Sequence, residues 1–391
     1  MFKNIISLIL GYLIGSILPA YIIGKFKGFD IREKGRRYAG TLNVYRTLGV
    51  IYAIPVAIFD TLKGVFAILI SEHVLHANFV FSQLSGFMAV LGHIFPFYLG
   101  FRGGQGVATA DGVMLYYLFF HYFKDKVITV YDLSFAGALV LLIFPIVKKG
   151  EFVGPLILPF LCFLVFRNNF NDPYNPFFVL FILYIIFVNV RNIIRWRLIN
   201  IDGENFRRYW WRVAFRPGAL AFVIFYVYFS KKIALEVIGY TALFFILLDV
   251  FKLISKKGIS FLFKKAEEKR FSSMSMFLIA SFIIVLVFEK EIAIVSLIFL
   301  IFGDIFSKFF GLAFGRKKFF NSKTLEGSIG YFVSTLMISY IVYPLVKLPL
   351  WLLILGGLVA TFAEILPLAI DDNLTVGIIS GAFMSAIKYF V

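Results

Sequence analysis

The chain has 391 residues, 61% hydrophobic and 16% charged, with mean hydropathy +0.90 and a formal net charge of +17. A soluble domain averages about 45–50% apolar and about 25% charged residues, so soluble, disordered, collagenous and disulfide-scaffold classes are excluded. Spans of roughly 20 residues make this an all-α polytopic membrane protein of about fourteen transmembrane helices, with only short loops between them.

In chain order the apolar runs cover residues 4–24, 48–70, 80–98, 107–121, 131–147, 152–166 and 177–190, then 218–230, 233–251, 272–288, 291–312, 327–346, 350–370 and 374–391. The runs at 152–166 and 218–230 are short, which leaves a smaller count open. The first run lacks a basic leader and a small-residue cleavage site, so it reads as a retained span. The single cysteine, Cys162, lies in an apolar run, and no intramolecular disulfide is expected.

Charge sets the expected orientation. With the N-terminus outside, Lys and Arg gather in loops 25–47, 191–217, 252–271 and 315–325, at Lys148–Lys149 and beside Arg102, while loop 71–79 has none. By the positive-inside rule these are cytoplasmic loops of a multi-pass inner-membrane protein, with both ends outside. The charge is scattered over short loops. It points to anionic lipid headgroups and phosphorylated substrates, not to nucleic acid. The longest polar break falls at mid-chain and is rich in Arg and Trp. It divides a bundle at 1–197 from one at 204–391 through a basic junction at 198–217. The halves share no visible repeat, so they read as two fused bundles. Nothing in the sequence sets the oligomeric state.

Three polar constellations interrupt the second half. They are Gly303-Asp304 with Lys308, Gly311, Gly315, Arg316, Lys317 and Lys318; Lys323-Thr324-Leu325-Glu326-Gly327-Ser328; and Glu364 with Asp371-Asp372-Asn373. An Asp within a span costs about 2.5–3.5 kcal/mol on insertion scales, so Asp304 and Glu364 need a partner or a task. Phosphoryl transfer asks for a carboxylate-held metal, cations on the phosphates and a group to orient the attacking hydroxyl. Asp304, Glu326 and Asp372 are the candidate metal ligands. Asp304, Lys323, Glu326 and Asp372 are the candidate catalytic residues. Arg316, Lys318, Thr324, Ser328, Asn373 and the glycines Gly303, Gly311, Gly315 and Gly327 are candidate phosphate contacts. The plain alternative is an Asp304–Lys308 ion pair beside a basic loop.

GDIFSKFFGLAFGRKKF, SKTLEGS and AEILPLAIDDNLTV together resemble the CTP-dependent lipid kinases of the dolichol, phytol and diacylglycerol kinase family, over roughly residues 204–391. Glu204 to Arg208 matches that family's opening motif and adds Arg207 and Arg208 as nucleotide contacts. Trp211 stands where the family usually has His, and Ser307 where it usually has Ala. The pattern does not resemble the phosphatidate cytidylyltransferase signature. The resemblance implies CTP as phosphate donor, Mg²⁺ as cofactor and a membrane lipid alcohol as substrate.

The first half has its own polar islands, at 35–46, Asp60–Gly64, 92–109 and 191–195. Asp60 and Lys63 fall inside a span and are expected to pair. His93 on an apolar segment reads as a satisfied histidine. GYLIGSILPAYIIGK, DTLKG, LGHIFPFYLGFRGGQGVAT and NIIR, in that order over residues 1–197, resemble the acyl-phosphate-dependent glycerol-3-phosphate acyltransferases of the PlsY family, a seven-span fold. Gly40, Asn43, Arg46, His93, Gly103, Gly104, Gly106, Thr109 and Asn192 persist as the acyltransferase-like remnant. The family's GSGNIGATN reads GRRYAGTLN here, with Arg36 at the Ser position and Tyr38 at the first Asn. Gln105 replaces the loop Lys, Asn189 stands at the His position, and no Ser occurs between Ser134 and Ser230. Arg for Ser restores charge but not geometry. The expectation is a lipid-synthesis transferase whose second half carries kinase chemistry, beside an acyltransferase-fold half that has left the standard reaction. The alternatives are a glycerol-3-phosphate acyltransferase making lysophosphatidic acid from acyl phosphate, and a non-catalytic lipid transporter or scaffold.

Overall fold

Helices carry the fold in the computed structural model, which describes residues 1–198, 216–255, 271–316, 318, 323–366 and 371–390. The chain divides into two units, Met1–Leu198 and Ile199–Val391. The first contains α1 (Phe2–Ser16), α2 (Pro19–Phe26), α3 (Thr41–Leu48), α4 (Val50–Leu69), α5 (Phe79–Ile94), α6 (Val107–Tyr116), α7 (Val130–Val147), α8 (Gly150–Asn168) and α9 (Asn175–Arg195). The second contains α10 (Leu220–Tyr228), α11 (Lys231–Ser255), α12 (Ser273–Val287), α13 (Lys290–Phe314), α14 (Leu325–Val342), α15 (Leu350–Ile365) and α16 (Asp372–Phe390).

The protein is an all-α, multi-pass membrane protein. Among the described residues nine helical stretches are long and apolar enough to cross a membrane, and α12 and α15 are shorter apolar helices. Several expected spans fall short for local reasons. α6 passes into a π-helical turn at Tyr117–Phe123, and the run at 218–230 supplies only the nine residues of α10. Most of the basic junction at 198–217 and of loop 252–271 lies outside the described residues.

The first apolar run is not one helix. Pro19 has no amide hydrogen and starts α2, while Leu18 before it is extended (φ −117°, ψ 92°). The break leaves carbonyls at the end of α1 without their helical donors. The Ile17 carbonyl accepts from Lys63 Nζ at 3.1 Å, and the Ser16 carbonyl accepts from Tyr98 Oη at 2.7 Å. A proline in the sequence thus creates the acceptor that anchors a buried ammonium.

α1 meets α5 backbone to backbone through Gly11-xxx-Gly15, the small-residue spacing that lets membrane helices approach closely. A Cβ on Gly15 would lie 2.0 Å from the Ala89 carbonyl oxygen. Helix starts elsewhere are capped by side chains. Asn78 accepts from the Phe81 amide at α5, Thr129 and Asp132 form a capping box at α7, and Thr324 accepts from the Gly327 amide at α14. In the second unit Phe299, Leu300, Tyr331, Leu353 and Met384 belong to one buried cluster. Gly15→Val is expected to destabilise the protein by more than the about 1–3 kcal/mol of ordinary overpacking, because the opposing atom is backbone. A fall in Tm in detergent, with Gly137→Val as the open-space control, checks this.

Candidate functional sites in the two units

In the first unit the loop before α3 is organised by Asn43, whose side chain is fully buried. Its Nδ2 donates to the carbonyls of Ile31 (2.9 Å), Lys34 (3.1 Å) and Tyr38 (2.9 Å), and its Oδ1 accepts from the Arg36 amide at 2.7 Å. Asn43 therefore serves the turn rather than a ligand. The loop is clamped to the glycine-rich segment by Arg32. Arg32 donates to both oxygens of Asp30 and to the carbonyls of Leu99 and Arg102, and the Ala39 amide reaches the Gly103 carbonyl at 3.3 Å.

Arg36 finds partners of its own. Its Nη1 lies 2.9 Å from Glu151 Oε1 at the start of α8, and its guanidinium stacks 3.7 Å from the Trp196 ring centroid. Arg46 and Arg37 are exposed. Gln105 and Asn192 form a reciprocal amide pair. Gln105 Nε2 donates to Asn192 Oδ1 at 2.9 Å, and Asn192 Nδ2 donates to Gln105 Oε1 at 3.0 Å. The Tyr184 hydroxyl donates to the Gln105 carbonyl. The position where the resemblance places a phosphate cation is thus a neutral, mutually satisfied pair.

Lys63, Asp60 and His93 make a buried triad. Lys63 Nζ is 2.8 Å from Asp60 Oδ1 and 2.6 Å from His93 Nδ1, and His93 Nδ1 is 3.4 Å from Asp60. The expected Asp60–Lys63 pairing is present, and His93 is satisfied within it. Gly104 packs on the other ring edge, where a Cβ would lie 2.0 Å from His93 Nε2. The amides of Gly103 and Gly104 donate to the carbonyls of Ile94 and His93 at 2.9 Å each, so both are engaged within the loop. Gly106 (φ +67°) turns the chain into α6, Gly40 precedes α3, and the Thr109 hydroxyl is buried without a hydrogen-bond partner.

In the second unit the motifs from three separate stretches converge at the ends of α13 to α16. Asp304 pairs with Lys308 one turn later at 2.9 Å. Lys323 Nζ lies 2.8 Å from Asp372 Oδ2 and 3.8 Å from Glu364 Oε1. Glu364 also accepts from Ser307 Oγ at 3.1 Å and lies 3.5 Å from Ser328 Oγ. Glu326 is buried, and its Oε2 accepts from the Arg316 amide at 3.0 Å. Asn373 turns on Asp371 Oδ1 through its amide (3.0 Å) and its Nδ2 (2.6 Å).

The glycines do different work from that expected. Gly303 and Gly311 lie inside α13, where amides belong to the helical ladder. A Cβ on Gly303 would strike the Tyr331 ring at 2.1 Å, and one on Gly311 would press on Thr324. The Gly315 amide donates to the Gly311 carbonyl and the Gly327 amide to Thr324 Oγ1. These glycines bring α13 against α14, and their amides are not available to a phosphate. Thr324 caps α14. The Arg316 and Lys318 side chains are exposed, and Lys318 bridges to Thr324 through its backbone. Arg207, Arg208 and Lys317 lie outside the described residues.

A resident metal does not fit the carboxylates as they stand. Asp304 is held by Lys308, Glu326 by a backbone amide and Asp372 by Lys323. Among the described residues no three His, Cys, Asp or Glu gather closely enough to hold an ion.

Sequence reasoning missed Glu151 as the partner of Arg36. It also missed Asp249, whose carboxylate is fully buried. Asp249 pairs with Lys252 at 2.7 Å and accepts from the Ser272 amide (2.8 Å) and the Ser275 hydroxyl (2.6 Å). An acid and a base three apart in an apolar run was the available signal.

The profile of the glycerol-3-phosphate acyltransferase family matches residues 5–199. The profile described as the cytidylyltransferase family matches residues 153–368. The two matches support the description of the chain as two fused parts, an acyltransferase-like one and a CTP-family one. A glycerol-3-phosphate acyltransferase of Lactiplantibacillus plantarum is 41% identical over 149 residues, covering 37% of this chain and 72% of its own length. A glycerol-3-phosphate acyltransferase 2 of Bacillus anthracis is 46% identical over 114 residues, covering 29% of this chain. Only 59% of that relative's own length is spanned. The crystal structure of PlsY, an integral membrane glycerol 3-phosphate acyltransferase, in its glycerol 3-phosphate form is 27% identical, with a TM-score of 0.40. It covers 50% of this chain and 93% of that one.

Two outcomes test this geometry. Gln105→Leu and Asn192→Leu each strand an amide, at about 1–3 kcal/mol apiece. The double variant is expected to cost clearly less than the sum of the two, in a thermal-unfolding cycle. Arg32 holds the Asp30 carboxyl below its ordinary value, chiefly by side-chain hydrogen bonding. Its stabilisation is therefore present above the ordinary carboxylate pKa and is lost as pH falls through the lowered folded value. The Tm gap between the native chain and Asp30→Asn should be widest at neutral pH and close only in strong acid.

Proposed function

The chain belongs to the glycerol-3-phosphate acyltransferase family through its first half and to the cytidylyltransferase family through residues 153–368, and on that premise we propose that its second half transfers the γ-phosphate of CTP to a membrane lipid alcohol. The observation that carries this reading is the meeting of Lys323, Asp372 and Glu364. These residues come from separate stretches of sequence, and together they put an ammonium beside two carboxylates at the ends of apolar helices. Phosphoryl transfer needs little covalent help and much charge placement. Lys323 and Lys308 would face the phosphates. Asp372 and Asp304 hold those two ammonium groups in position until the nucleotide enters. Glu326, bonded to the Arg316 amide, shapes the turn between α13 and α14.

The family description favours a second reading for the same site, transfer of a cytidylyl group to an acidic lipid. The two differ in the phosphorus attacked. The detergent-purified chain, with Mg²⁺ in the buffer, would be given CTP labelled at either the α or the γ position. The acceptors would be diacylglycerol, phytol, a polyprenol and phosphatidate. Label from the γ position in an alcohol product supports the kinase. Label from the α position in a phosphatidate product replaces it with cytidylyl transfer. Lys323→Ala is expected to lower the rate at least about a hundredfold, on the scale of losing one preorganised charge contact.

For the first half we read an acyltransferase fold with an altered acceptor site, because Gln105 is engaged by Asn192 and Arg36 by Glu151. Its membrane setting and lipid-synthesis context follow the family, and its cytoplasmic placement and preference for anionic headgroups follow the charge pattern. The standing alternative is the standard reaction, formation of lysophosphatidic acid from acyl phosphate, which the intact His93–Gly104 loop favours. If glycerol 3-phosphate is acylated by the native chain, the altered-acceptor reading falls. If Gln105→Lys alone creates that activity, the altered-acceptor reading stands.

A further inference from the structure

Glu364 carries more of the second unit's geometry than any role so far assigned to it. It is the single charged residue of α15 and sits one residue from its end. An acid there lies where an apolar span meets the polar layer, the depth at which a lipid hydroxyl sits while its hydrocarbon runs along the span. Its side chain is only 13% exposed. Ser307 on α13 and Ser328 on α14 both point hydroxyls at it, and Lys323 stands 3.8 Å away.

The other carboxylates differ. Asp304 and Asp372 each hold a lysine at under 3 Å, and Glu326 holds a backbone amide. The nearer Glu364 partners are hydroxyls, which rotate and exchange readily, and its lysine stands farther off at 3.8 Å. A carboxylate has about four lone-pair positions. Among the described residues, Oε1 faces Ser307 and Lys323, while Oε2 has one long contact to Ser328 at 3.5 Å. Oε2 therefore has room for another hydroxyl donor. A hydroxyl acceptor and a phosphate-binding cation thus stand side by side, the arrangement that would bring a nucleophile and its target together.

We propose that Glu364 receives the hydroxyl of the lipid alcohol and takes its proton during transfer, an assignment that rests on the kinase reading. The alcohol oxygen bonds to the γ-phosphorus as the bond to the β,γ-bridging oxygen breaks. CDP leaves with that electron pair, and the hydroxyl proton passes to Glu364 Oε2. Ser307 acts as a positioning residue by fixing Oε1.

The test uses the full chain in detergent. Glu364→Gln keeps the size and hydrogen-bonding reach of the side chain but cannot accept the proton. Its kcat is expected to fall at least about a hundredfold, in the range of general-base losses, with Kd for CTP and Tm unchanged. An acceptor alcohol acidified by neighbouring fluorines should recover rate in Glu364→Gln far more than in the native chain, which a structural role would not produce. Ser307→Ala should lose only a few-fold in kcat, and Glu364→Asp should retain part of the rate. An undiminished rate in Glu364→Gln overturns the assignment while leaving the kinase reading in place. Equal losses of CTP binding or stability also overturn it, in favour of a packing role. If the native chain moves no γ label to any alcohol, the kinase reading falls and this assignment falls with it.

Discussion

A charge buried in an apolar helix must find its opposite close at hand, and this chain meets that requirement repeatedly. Asp60 holds Lys63 and Asp249 holds Lys252, both pairs buried, and Asp304 holds Lys308 half-buried, each within one turn of the same helix. Such local pairs let a helix enter the bilayer with its charges already matched. They then leave spare valences for tertiary work. Lys63 reaches the Ile17 carbonyl and His93, and Asp249 gathers the start of α12 through Ser272 and Ser275. These two pairs thus join one helix to its neighbours and fix their register.

Lys323 differs from these three, since its carboxylates come from other helices. It lies in a loop and cannot be matched before α15 and α16 are in place. A late-formed pair is the natural location for chemistry, because its partners can be exchanged without dissolving a helix. The first unit shows the opposite case. Arg36, Glu151 and Trp196 close on one another, and Gln105 closes on Asn192. Groups so engaged have less to offer an incoming phosphate.

Sequence showed the helices well and their interruptions poorly. The runs at 48–70 and 80–98 became α4 and α5 within a few residues, because hydrophobic length is a local property. The break at Leu18–Pro19 stayed hidden, since a proline that starts a helix leaves the apolar run intact. Local pairs such as Asp60–Lys63 were legible from spacing. Arg36–Glu151 was not, because 115 residues separate the partners. Gln105 and Asn192 were both noticed, one as a departure and one as a remnant, but their pairing is a tertiary fact. The glycines of the second half misled in an instructive way. Glycine permits close approach by a phosphate or by a helix, and the residues alone do not say which. Tyr331 against Gly303 answers in favour of the helix.

The contact of Gly11 and Gly15 with α5 also bears on how the protein is made. α1 is synthesised before the helix whose surface it needs, since α5 emerges only after α4. Ribosomal synthesis is vectorial and domains form in order of emergence. The glycine face of α1 must therefore wait in the lipid until α5 arrives to lock against it. During that interval the Ser16 carbonyl lacks the Tyr98 hydroxyl, whereas Lys63 has already emerged on α4 to serve Ile17. α1 is thus among the last elements of the first unit to complete its packing, and assembly of that unit closes from its middle back toward α1.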